Sequence, residues 1–130
     1  MSLPEADEQA LADRGIPHQV QVDGGMVCVL LPDWQLPDGL SASSVDVLLR
    51  LAPGYPDVAP DMWWVDPPLR HADGSAIPGT ESSEGHLGRT WQRWSRHFNG
   101  GQWQSGIDGL ESFLARMRAE FDLAARGQAA

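Results

Sequence analysis

Twelve consecutive residues, HLGRTWQRWSRH (86–97), hold most of the side chains suited to chemistry: two histidines, three arginines, two tryptophans, a threonine and a serine. Trp91 and Trp94 are three apart, and Arg89, Arg93 and Arg96 follow at spacings of four and three. One or two helical turns would set rings and guanidinium groups on adjacent faces. Arginine beside tryptophan suits stacking and recognition of acidic groups. Arg89, Trp91, Arg93, Trp94 and Arg96 are therefore candidate partner-binding residues. His86, Ser95 and His97 are the candidate catalytic groups. The competing reading is that the tryptophans plug the core while the arginines are solvated. Ser95 and His97, two apart, do not face each other on a helix, and no Gly-x-Ser-x-Gly elbow surrounds Ser95.

Cys28 is the only thiol, set between Val27 and Val29. A nucleophilic cysteine needs exposure and a positive environment, whereas a strand cysteine among valines behaves as a small buried hydrophobe. His71, His86 and His97 fall near Asp73, Glu81 and Glu84, but no HxH, HExxH or CxxC spacing is present. No metal site and no cofactor are expected. Phosphate-loop, dinucleotide and calcium-loop motifs are absent.

The elements that position these residues follow from the pattern. Residues 4–14 read as a short helix that starts at Pro4, carries Glu5, Asp7 and Glu8 in its first turn and stops at Gly15. Leu11, with Ala12 as a second candidate, faces the core. Two strand-like runs, 17–23 and 26–31, flank Gly24-Gly25 as a hairpin. PDWQLPDGLSASS (32–44) reads as loop. Strands follow at 45–51 and 61–65, the latter halted by Asp66-Pro67-Pro68. Trp63 and Trp64 then point to opposite faces, one into the core and one under the long segment that follows. Residues 69–105 show little periodicity and read as irregular. Ile107, Leu110, Phe113, Leu114, Met117, Phe121 and Ala124 recur at helical spacing, so 107–125 reads as a helix about 28 Å long. Ser105 or Asp108 can cap its start. The expected architecture is α+β: an N-terminal helix, a four-stranded antiparallel meander, a long irregular segment and a C-terminal helix on one sheet face.

The chain has 130 residues, which suits one domain over 1–130. Its formal charge of −9 makes nucleic acid and anionic membranes poor partners. No apolar run approaches the roughly 20 residues of a membrane span, and the acidic N-terminus has no signal-peptide core. A cytoplasmic location is expected. All nine basic residues are arginine. An arginine-biased genome explains that. So does a protein that handles activated acyl groups, because lysine amines are good acyl acceptors.

The stretch from LRLAPGYPDVAP (49–60) through MWWVDPP (62–68) to Trp103-Gln104-Ser105-Gly106-Ile107 resembles the ubiquitin-conjugating superfamily: a third strand, a Tyr-Pro turn, an aromatic fourth strand, an irregular active-site segment, then a tryptophan before the C-terminal helix. GGMVCV, GYPDVAPDMWW, DPPLR and HLGRTWQRWSRH are similar to segments of the prokaryotic ubiquitin-conjugating family E. That resemblance implies the fold above and two partners, a ubiquitin-like protein and a ThiF-like activating enzyme. It also implies a catalytic cysteine several residues before Trp103. Here that region reads WSRHFNGGQ (94–102), without one. The His-Pro-Asn motif is missing too, with His71-Ala72-Asp73 near its place. Without a thiol no thioester forms there. Three readings remain: a non-catalytic partner-binding member, an acyl carrier using Ser95 or His97, or a carrier using Cys28. A general interaction domain of the related RWD type is the alternative outside conjugation.

Overall fold

The computed structural model describes residues 3–96 and 102–127. Its elements are α1 (Glu5–Asp13), β1 (Gln19–Asp23), β2 (Met26–Gln35), β3 (Ser44–Leu51), β4 (Trp63–Asp66), β5 (Ser83–His86), β6 (Arg89–Trp94) and α2 (Leu110–Arg126). Every strand pairing is antiparallel, and the order across the curled sheet is β1-β2-β3-β4-β6-β5. The fold is α+β, and the first four strands form the expected meander. The four-strand expectation is corrected by β5 and β6, which widen the sheet to six strands out of sequential order, with β6 next to β4 and β5 at the edge.

Both hairpins rest on two-residue turns. Asp23 faces Met26 around Gly24 and Gly25, whose φ values are 60° and 78°. His86 faces Arg89 around Leu87 and Gly88, with φ of 55° and 73°. Positive φ at both turn positions matches the twist of the flanking strands. The second turn was missed because leucine occupies its first position, where glycine, asparagine or aspartate would announce it. Residues 86–94 are therefore the turn and second strand of a hairpin, not a helical turn.

β2 is also longer than expected, because PDWQ (32–35) continues it past a bulge between Leu31 and Trp34. Asp33 takes a φ of 53° there, and its N–H donates to Asp46 Oδ1 at 2.9 Å. Proline and aspartate read as loop, but a bulge accommodates both.

The inner sheet face carries Val27, Val29 and Leu31 of β2, Val45, Val47, Leu49 and Leu51 of β3, then Trp63, Val65 and Trp94. Helix α2 lays Leu110, Phe113, Leu114, Met117, Phe121 and Ala124 on it. Trp63 stacks on Trp94 at 5.9 Å between centroids, and the edges of Phe113 and Phe121 meet it at 6.0 Å. Trp64 lies on the opposite face with Cys28, Leu48 and Trp91. The expected division of the two tryptophans holds.

Helix α2 begins at Leu110 rather than 107, and Ile107 is 78% exposed. Neither Ser105 nor Asp108 caps it. Asp7 of α1 accepts the Leu110 N–H at 3.0 Å, and the Ser112 hydroxyl accepts that of Gly109 at 3.0 Å. Asp108 accepts from the Gln104 N–H instead, at 2.6 Å. Within α1, Leu11 is buried, Ala12 is exposed and the second buried residue is Asp7.

Candidate functional site

Strand geometry decides where the sequence candidates go. Successive side chains of β6 alternate between faces, so Arg89, Trp91 and Arg93 lie on the outer face and Gln92 and Trp94 on the inner one. The cluster that looked continuous in sequence is split by the sheet.

On the outer face, Arg89 bridges two carboxylates. Its Nη2 is 2.9 Å from Asp46 Oδ2 and 2.7 Å from Asp66 Oδ2, and its Nε is 3.2 Å from the latter. Asp46 and Asp66 stand opposite each other on β3 and β4, so Arg89 neutralises a like-charge cross-strand pair. Its guanidinium also lies 4.4 Å from the Trp91 ring centroid. The hydrogen bonds that Arg89 donates to Asp66 and Asp46 raise its pKa. For Asp46, burial raises the pKa, but the Asp33 N–H and Arg89 outweigh it and hold the carboxyl below its usual range.

Glu84 of β5 is a second hub. It accepts Trp64 Nε1–H at 3.0 Å and Arg93 Nη1–H at 2.8 Å, and His86 Nε2 lies 3.0 Å from its Oε1. The His86 contact is the largest factor lowering its pKa, opposed by burial and helped by Trp64 and Arg93. The His86 ring meets Trp64 edge-on at 5.4 Å, and its carbonyl accepts Trp91 Nε1–H at 2.9 Å. Beneath these polar hubs Cys28 is 1% exposed and Trp91 fully buried, with Leu48 and Trp64 completing a small apolar cluster.

On the inner face, Trp94 belongs to the core, where its indole N–H donates to Gln92 Oε1 at 3.0 Å. Gln92 also clamps the chain after β4, accepting the Leu69 N–H at 2.8 Å and donating to the Leu69 carbonyl at 2.9 Å. Ser95 follows β6, its N–H donating to the Gly79 carbonyl at 2.9 Å. Arg96 pairs with Glu120 of α2 at 3.1 Å and covers the Trp94 ring at 5.0 Å. His97 lies outside the described residues.

The structure therefore brings His86, Arg89, Trp91 and Arg93 together and separates Trp94, Ser95 and Arg96 from them. All three candidate arginines are already paired with carboxylates of this chain, so an acidic partner competes with internal ion pairs. The two tryptophans follow the plugging alternative, one on each side of the sheet. Trp103 packs on the Tyr-Pro turn. Its indole N–H donates to the Pro56 carbonyl at 2.8 Å and its ring lies 6.3 Å from that of Tyr55.

Sequence reasoning missed Asp46, Asp66 and Glu84, the acids that hold the outer arginines. The available signal was the alternation of RTWQRW (89–94), which puts Arg89 and Arg93 on one strand face. His71 is 6% exposed, bridges to Leu40, and among the described residues its Nδ1 has no hydrogen-bond partner. Among the described residues no group of three or more His, Cys, Asp or Glu side chains is arranged to hold a metal ion, and no helix is long and apolar enough to cross a membrane.

No curated protein and no solved structure matches the chain significantly. One protein-family model does, over residues 3–124, nearly the whole length. Its coverage includes both hairpins, the Tyr-Pro turn, Trp103 and most of α2. The chain belongs to prokaryotic E2 family E, and its role is related to ubiquitin conjugation.

Proposed function

We propose that this protein serves a bacterial ubiquitin-like conjugation pathway without forming a cysteine thioester, by binding a ubiquitin-like protein, its ThiF-like activating enzyme, or both. The observation that carries the reading is the state of its one thiol. Cys28 is 1% exposed, packed against Leu48, Trp64 and Trp91 in the middle of a sheet face. A thioester carrier must offer its sulfur to a bulky acyl donor. The segment before Trp103 supplies no other cysteine. The binding surface is assigned to the outer sheet face around His86, Arg89 and Arg93, with buried Trp91 as the platform on which Arg89 rests. A cytoplasmic location accords with this role.

Intact-protein mass spectrometry tests the reading. The protein is mixed with the ThiF-like activating enzyme, the mature ubiquitin-like protein and ATP. Co-purification of the unmodified chain with either component, without adduct, supports it. A covalent adduct lost in Ser95→Ala or His97→Ala, and sensitive to hydroxylamine, would instead make the protein an acyl carrier. An adduct lost in Cys28→Ala would overturn the burial argument. Neither adduct nor complex would leave an RWD-type interaction domain.

A further inference from the structure

The chain contains nine basic side chains and no lysine. Among the nine arginines, contacts set two groups of three apart. Arg89, Arg93 and Arg96 each use two guanidinium nitrogens. Arg89 spans Asp46 and Asp66, Arg93 reaches Glu84 and Ser82, and Arg96 reaches Glu120 and the Ser95 carbonyl. A lysine ammonium, a point donor on a flexible stem, does not reproduce that fork. Arg14, Arg70 and Arg126 differ. Each is exposed, and each side chain makes one hydrogen bond among the described residues: to Glu111 at 3.1 Å, to the Gly74 carbonyl at 3.1 Å and to the Asp122 carbonyl at 3.3 Å. A lysine satisfies a single bond of this kind equally well. The fold thus accounts for arginine at the first three positions and not at the second three.

We infer that the absence of lysine protects this chain from becoming an acceptor of the acyl group its pathway carries. The inference rests on the conjugation reading above. An exposed ε-amine attacks the carbonyl carbon of a thioester or an acyl adenylate. The N–C bond forms, the C–S or C–O bond breaks, thiolate or AMP departs and the amine proton passes to solvent. The product is a stable isopeptide that removes both the carrier chain and the modifier from use. A guanidinium stays protonated and delocalised and does not attack. The exposure matters because a bound partner keeps its activated terminus tethered to the chain, where any exposed amine within its reach meets it at a high effective concentration. Charge-conserving arginine keeps the surface electrostatics while withholding the nucleophile.

The test uses Arg14→Lys, Arg70→Lys and Arg126→Lys, singly and combined. All keep the charge and the single hydrogen bond. Each protein is incubated with the ThiF-like activating enzyme, the mature ubiquitin-like protein and ATP. Binding of the wild type to either component is measured in parallel by size-exclusion chromatography. The combined variant should form isopeptide adduct mapped to the new lysines, raising total covalent adduct to about ten times the wild-type level or more. If the wild type binds but no lysine variant is modified, the inference is overturned and the conjugation reading stands. If the wild type binds neither component, the conjugation reading falls and this inference falls with it.

Discussion

Asp7 sits in the first turn of α1, where an acid is favoured by the helix dipole alone. In the fold it is 6% exposed and ties three elements together. Its Oδ2 accepts the Tyr55 hydroxyl at 2.6 Å and its Oδ1 accepts the Leu110 N–H at the start of α2. Burial first, and then the Asp7 carboxylate, push the Tyr55 pKa far above its ordinary value, so the phenol stays protonated and donates. Asp7→Ala leaves a buried hydroxyl and a helix N-terminus unpaired and should cost about 3 kcal/mol, read as a shift in urea midpoint at constant slope. Cys28 shows the same dominance of environment over residue type. Native protein should react with a bulky aromatic disulfide reagent only as fast as it opens, and at full rate in denaturant. Fast native labelling would contradict its burial and weaken the non-thiol reading.

At the scale of elements, charges act as ties between strands and between helix and strand. Arg89 holds Asp46 and Asp66 across β3 and β4. Arg89→Met leaves two carboxylates face to face. The site is about one-third exposed, which limits the loss to about 1 kcal/mol at neutral pH. The sign with pH follows from Asp46. Its folded pKa is lowered, so its contribution is present above the unfolded value and lost as pH falls through the folded one. The gap between wild type and Arg89→Met should therefore shrink on acidification, as read by denaturation at neutral pH and near pH 3. His18 works in the other direction. Its Nδ1 is 2.9 Å from the Ile16 carbonyl and its Nε2 is 3.0 Å from Glu8 of α1. The Ile16 carbonyl raises its pKa most, burial opposes, and Glu8 adds to the rise. A raised folded pKa gives stability that is full below the unfolded value and lost as pH rises through the folded one. The advantage of wild type over His18→Gln should be largest near about pH 5.5 and vanish at alkaline pH. A gap that widens with pH would refute the assignment.

For the molecule as a whole, α2 closes the inner sheet face through an aromatic cluster. Phe121 meets Trp94 at 4.9 Å and Trp63 at 6.0 Å, both edge-on, and is 1% exposed. Phe121→Ala should cost about 3–5 kcal/mol, enough to leave the chain partly unfolded at 37 °C, and calorimetry measures it. The sequence by itself determined the α+β class, the first hairpin, β3, β4 and the amphipathic C-terminal helix. Those signals are local: periods of two and 3.6, a Gly-Gly turn, a stripe of large apolar residues. It also determined the family resemblance and the single cysteine, Cys28, which are matters of residue identity. Tertiary structure decided the rest. Residues 83–94 became a hairpin because β4 offered an unpaired edge for β6, and pairing with Trp63, Trp64 and Val65 outweighed a weak local pattern. That pairing placed Trp91 and Trp94 on opposite faces. It also set Arg89 against acids 23 and 43 residues away, a separation at which no spacing rule in the sequence can connect them.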